Sequence, residues 1–79
     1  MTISPAQCRA ARALIGWSQS KLADVAKVAP ATIATFETGK RIPYDRTLDD
    51  LKDALTAAGV VFLDKGTERA GGAGVRLAD

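Results

Sequence analysis

Residues 12–43 read RALIGWSQSKLADVAKVAPATIATFETGKRIP, and this stretch decides the fold. Leu14, Ile15, Leu22, Ala23, Val25, Ala26, Val28, Ile33 and Phe36 form an apolar set with helical spacing. Gly16-Trp17 closes a preceding helix, and Ser18 sits where the cap of the next one belongs. Pro30 suits the first turn of a further helix, where its missing N–H costs nothing. Gly39 follows as a stop. The stretch therefore reads as two short amphipathic helices, roughly 19–26 and 30–37, joined by a tight turn.

Outward from it, Ser4-Pro5 opens a first helix, with serine as cap and proline in the first turn, running to about Ile15. Lys40-Arg41-Ile42-Pro43-Tyr44 is a basic loop containing a helix-refusing proline, and Tyr44 is expected to pack beneath it. Thr47-Leu48-Asp49-Asp50 resembles a capping box. It introduces a fourth helix with Leu48, Leu51, Leu55 and Ala58 on one stripe, stopped by Gly59. Val60-Val61-Phe62-Leu63 is a β-branched and aromatic run that suits a strand. After the glycine-rich stretch 64–74, Val75-Arg76-Leu77 either returns as the second strand of a hairpin or belongs to a loose tail. The spacing predicts a mainly α domain of four to five helices over 1–58 and a strand or hairpin extension over 59–79.

A chain of 79 residues has room for one domain with a small core, and association of subunits is the natural way to add buried area. Cys8 is the only cysteine and there is no histidine. No disulfide within the chain, zinc site or Cys/His or Ser/His dyad can be assembled, and a reducing cytoplasm is the expected compartment. Carboxylates cluster only at Asp49, Asp50 and Asp53, the polar start of a helix, so enzymatic chemistry has little to stand on. No cofactor or metal is expected. No apolar run approaches membrane-spanning length, and MTISPAQCRA lacks a hydrophobic signal region. Residues 1–46 hold seven basic against three acidic side chains, and 47–79 hold four against six. A basic half beside an acidic half fits one face on nucleic acid and one turned away. Aromatics are 5% of the chain, too sparse for stacking on single strands, so Trp17 and Phe36 read as core and Cys8 as a packing residue.

Arg12, Gly16, Ser18, Gln19, Leu22, Ala23, Thr32, Ile33, Glu37, Gly39, Lys40 and Pro43 recur here in the order typical of one family. In them the chain resembles the phage-repressor (Cro/C1, or XRE) helix-turn-helix proteins of bacteria. The resemblance implies a repressor-like fold that binds double-stranded DNA, with helix 3 as recognition helix. It further implies that Arg12 and Glu37 meet in a largely buried ion pair, and that Gln19, beside the Ser18 cap, faces DNA. With Ile33 and Phe36 inward, a rotation of 100° per residue sends Ala31, Ala34, Thr35 and Thr38 to the other side. Pro30 then lies at the tip, and Thr32 between the faces reaches toward a phosphate. Glutamine, asparagine and arginine are missing from this face, so bidentate readout from helix 3 is unavailable and shape and deformability gain weight. Lys40 and Arg41 are placed to clamp the phosphate backbone, with Arg46 and Lys27 as further candidates.

The expected function is sequence-specific regulation of transcription by a homodimeric repressor at a palindromic operator, with autoregulation as a further expectation. The alternatives are an antitoxin that uses 59–79 to cover a partner, and a weakly specific architectural protein. Two recognition helices must stand about 34 Å apart to meet successive major grooves. The subunit contact is accordingly expected at Val60, Val61, Phe62 and Leu63, helped by the end of helix 4 and by Val75 to Leu77. The competing reading is that this run packs back on helix 4 within one subunit.

Overall fold

The computed structural model describes residues 2–65 and 71–78. Four helices come first: α1 Pro5–Ile15, α2 Gln19–Ala26, α3 Pro30–Glu37 and α4 Asp45–Ala57. Two strands follow, β1 Val60–Leu63 and β2 Gly74–Leu77. The strands form an antiparallel hairpin with Val60 opposite Leu77 and Leu63 opposite Gly74. The chain is therefore mainly α with a short hairpin, and both runs 60–63 and 75–77 are strand.

Local chemistry sets the helix ends. The Ser4 hydroxyl accepts from the Gln7 amide while the Gln7 side chain accepts from the Ser4 amide, a reciprocal cap that satisfies two donors α1 cannot use internally. Gly16 closes α1 in the left-handed region at φ 70, where a Cβ is strained. Ser18 caps α2 through the Lys21 amide. Lys27 ends α2 in the same left-handed conformation, φ 60, and is the one non-glycine residue among those described with positive φ. The tight turn between α2 and α3 is thus built on a lysine where glycine would rest without strain.

The fourth helix starts earlier than the capping-box pattern implies. It begins at Asp45, immediately after an extended Tyr44 that makes no side-chain cap. Pro43 ends the loop, the chain turns directly into helix, and Thr47 falls inside the first turn. Asp45 complements the dipole there instead of a cap. On the buried stripe Leu48, Leu51 and Leu55 are joined by Ala54, whereas Ala58 is exposed. Gly59 turns the chain into β1, and the Ala78 amide donates to its carbonyl at 2.7 Å.

The core gathers Leu22, Ile33, Phe36, Leu51 and Leu55, all fully buried, with Cys8, Ala11 and Val60. Truncating a side chain such as Phe36 to alanine at such a site costs about 3–5 kcal/mol. Trp17 and Val28 pack against this cluster, as do Phe62 and Val75 from the hairpin. Two members of the expected apolar set lie outside it, since Leu14 is 42% and Val25 43% exposed. Val60 and Phe62 use one face of β1 to seal the core. By strand alternation Val61 and Leu63 lie on the other, part-exposed face.

Candidate nucleic-acid interface

In the α2–turn–α3 unit, α3 buries its inner face. Ile33 and Phe36 are fully buried and Glu37 is 3% exposed, while Ala31, Thr35 and Thr38 face solvent and Thr32 and Ala34 are half-buried between. Pro30 opens α3 with no side-chain cap. The Thr35 hydroxyl donates to the Ala31 carbonyl and the Thr38 hydroxyl to the Thr35 carbonyl. With its hydrogen used inside the helix, each threonine presents its methyl group and acceptor lone pairs outward. The outer face is therefore small and methyl-rich.

Glu37, the last residue of α3, is the polar hub beneath that face. Arg12 grips it with two parallel bonds, Nη2 to Oε1 at 2.6 Å and Nε to Oε2 at 2.7 Å, and Nη1 donates to the Trp17 carbonyl. Gln19 donates to Oε1 at 3.0 Å from α2, and the Cys8 thiol to Oε2 at 3.1 Å from α1. Arg9 donates to the Glu37 backbone carbonyl. Four groups from two helices thus fix the end of α3. Burial by itself pushes the Glu37 carboxyl up. The hydrogen bonds from Arg12, Gln19 and Cys8, with the Arg12 charge, outweigh it and hold the group below the usual carboxylate range. The bond to Glu37 raises Arg12 in turn. Burial, and then the bond to the Glu37 carboxylate, push the Cys8 thiol well above its ordinary range, so it stays protonated.

Gln19 therefore spends one of its two side-chain N–H groups on Glu37 and lies half-buried, while the Ser18 hydroxyl is engaged in capping α2. Lys27, Lys40 and Arg41 are exposed, as is Arg46. Lys27 belongs to the α2–α3 turn. Lys40 and Arg41 follow α3, which is closed by the Gly39 amide on the Phe36 carbonyl and the Lys40 amide on the Thr35 carbonyl. A cleft of about 600 Å³ separates α3 from this loop, lined by Ala31, Thr32, Thr35, Arg41, Ile42, Pro43, Tyr44 and Thr47. Arg41 is thereby brought beside the outer face of α3.

Tyr44 does not pack beneath the loop. It is 88% exposed, and Ile42 beside it is 63% exposed. The early start of α4 places Tyr44 outside the helix, and Phe36 and Leu48 already fill the core on that side. Sequence reasoning also missed Gln7, which is 4% exposed. Its Nε2 donates to the carbonyls of Leu63 and Gly74, the facing residues at the end of the hairpin, at 3.2 and 3.0 Å. Serine followed three residues later by glutamine signals a cap, but nothing local in sequence announces partners 56 and 67 residues away.

Trp17 is half-buried, with Lys21 Nζ 5.7 Å from its ring centre. Among the described residues no group of three potential ligands is placed to hold a metal ion, and no helix is long and apolar enough to cross a membrane.

A small helical core, a tight α2–α3 turn and an outward third helix flanked by basic residues define a DNA-binding helix-turn-helix regulator. The helix-turn-helix family model matches residues 9–55, more than half of the chain, and the protein belongs to that family, in its Cro/C1 (XRE) branch. The family is one of DNA-binding regulator domains, not of enzymes. No curated protein sequence matches the chain.

Proposed function

We propose that this DNA-binding protein is a sequence-specific transcriptional repressor acting as a homodimer at a palindromic operator, its own promoter included, in the bacterial cytoplasm. The observation that carries the reading is the outer face of α3, where Ala31, Thr35 and Thr38 are exposed, Ala34 is half-buried, and the exposed Lys40 and Arg41 continue the surface. In the major groove, the alanines and the threonine methyl groups meet thymine methyls, and the basic pair meets phosphates on the flank. Pro30 and Thr32 approach the groove edge, and Ser18, Gln19 and Lys27 border the backbone. With few base-specific hydrogen bonds available, discrimination rests on methyl contacts and on how the operator bends.

The subunit contact is assigned to the hairpin. Val60 is 1% exposed and committed to its own core, and Phe62 packs on the same cluster. Val61 and Leu63, on the opposite face, and the open strand edge are what β1 offers a second copy. Selection of bound duplexes from a random pool, followed by footprinting upstream of the protein's own coding region, tests the function. A palindromic consensus protected on one DNA face is expected. A pool that returns no consensus refutes sequence-specific regulation and favours an architectural protein. Recovery of a monomer at footprinting concentrations refutes the dimer.

A further inference from the structure

The two ends of α3 are held in unlike ways. Its start has no side-chain cap, and the Thr32 and Ile33 amides turn back on the Ala29 carbonyl. Ile33 and Phe36 pin its middle by apolar burial, which is non-directional and tolerates a small rotation. Directional bonds from α1 and α2 converge on its last residue, Glu37. The carbonyls of the last turn are satisfied one by one. Ala34 accepts from the Thr38 amide, Thr35 from the Lys40 amide and Phe36 from the Gly39 amide. The Glu37 carbonyl accepts from the Arg9 guanidinium of α1. Arg12, Gln19 and Cys8 grip only the Glu37 carboxylate, which meets its backbone through rotatable bonds. Of the bonds that α1 and α2 send to Glu37, that of Arg9 alone reaches the main chain. Moreover, α3 carries no basic residue in its last turn and ends in an acid, so the charge that complements its dipole there is supplied from α1.

We infer that Arg9 is a positioning residue for base readout. It fixes the backbone at the end of α3, and with it the angle at which Ala31, Thr35 and Thr38 are presented to the groove. The inference rests on the proposed reading of α3 as the DNA-facing helix, and it requires no contact between Arg9 and DNA. Arg9 is itself exposed, so removing its guanidinium takes little from the core. With the carboxylate still held by Arg12, α3 then stays docked but rocks about Ile33 and Phe36.

The test compares the wild-type chain with Arg9→Met, which keeps an apolar stem without a donor, and Arg9→Lys, which keeps a charged donor. Each is measured on the duplex that the wild type selects from a random pool and on random duplex, across a salt series and well below its thermal midpoint. Arg9→Met is expected to keep a midpoint within a few degrees of wild type and to discriminate between the two duplexes about ten-fold less well. Its affinity for random duplex and its slope of log affinity against log salt are expected to be unchanged. Arg9→Lys is expected to recover most of the discrimination. Wild-type discrimination by Arg9→Met overturns the inference, and so does an Arg9→Lys variant no better than Arg9→Met. Equal losses on both duplexes with a slope flatter by about one unit also overturn it, since Arg9 is then a phosphate contact. A collapsed Arg9→Met midpoint overturns it too, by making Arg9 a stability residue. A wild-type chain that selects no consensus overturns the sequence-specific reading together with the inference, whereas the other outcomes leave that reading standing.

Discussion

Removing the Arg12 guanidinium tests how the recognition helix is anchored. Arg12→Ala deletes both charge-assisted bonds to Glu37 and the bond to the Trp17 carbonyl, and leaves a carboxylate with a 2% exposed side chain. Breaking such a buried pair from one side costs about 3–5 kcal/mol. The lower end applies here, because Arg12 is itself 19% exposed and Gln19 and Cys8 still donate to Glu37. A domain of this size has roughly 4–12 kcal/mol of stability in all, so about 3 kcal/mol is a large share of it. With a urea dependence of about 1 kcal/mol/M for so small a chain, the unfolding midpoint is expected to fall by about 3 M. Arg12→Met combined with Glu37→Leu removes both charges at once and is expected to recover most of that loss, since the desolvation cost disappears with the pair. DNA affinity measured well below the denaturation midpoint should fall less than stability does. An Arg12→Ala midpoint within 0.5 M of wild type, on the order of 0.5 kcal/mol, refutes the anchoring argument. So does a double variant no more stable than Arg12→Ala.

The Glu37 carboxyl is depressed in the folded state, so its contribution is complete above the ordinary carboxylate range and is lost as pH falls through the folded value. Thermal midpoints of the wild type should therefore drop in acid more steeply than those of Glu37→Gln, and parallel curves count against the linkage. Lys27→Gly relieves the left-handed strain at φ 60 and should raise stability by up to about 1 kcal/mol, or several degrees in midpoint, unless a lower midpoint shows the turn to be unstrained. Gln7→Ala leaves the Leu63 and Gly74 carbonyls without their side-chain donor. It is expected to cost about 1–3 kcal/mol and to speed hydrogen exchange in the hairpin ahead of α2 and α3; uniform exchange across the chain contradicts the clamp. Lys40→Ala should weaken operator and random DNA alike and lower the salt slope by about one unit, whereas a loss confined to the operator argues against phosphate contact.

The elements most legible in sequence are those fixed by local chemistry. Ser4, Ser18, Pro5 and Pro30 mark helix starts because capping and proline constraints act within one turn, and the observed starts of α1, α2 and α3 follow them. The start of α4 differs from its sequence pattern because Thr47 and Asp50 carry a valid capping pattern, while the chain after Pro43 turns into helix three residues sooner. Hydrophobic period groups Leu14 and Val25 with residues that are buried, yet a helix of two or three turns buries only one stripe and these two fall beside it. Within the site, the outward positions of α3 follow from rotation about the helix axis. The exposure of Tyr44 and the clamp by Gln7 were not legible, since each depends on which distant surface the core leaves open.

The buried residues of α3 are Ile33, Phe36 and the terminal Glu37, while the hydroxyls of Thr35 and Thr38 donate to carbonyls of the helix itself. Posture and vocabulary are thereby separated in a segment of eight residues. Ala31, Thr35 and Thr38 are exposed and can be exchanged for longer side chains while the anchoring three hold the helix in place. On the proposed reading of α3 as the DNA-facing helix, a handful of outward substitutions would change which sequence is bound while the residues beneath keep the fold.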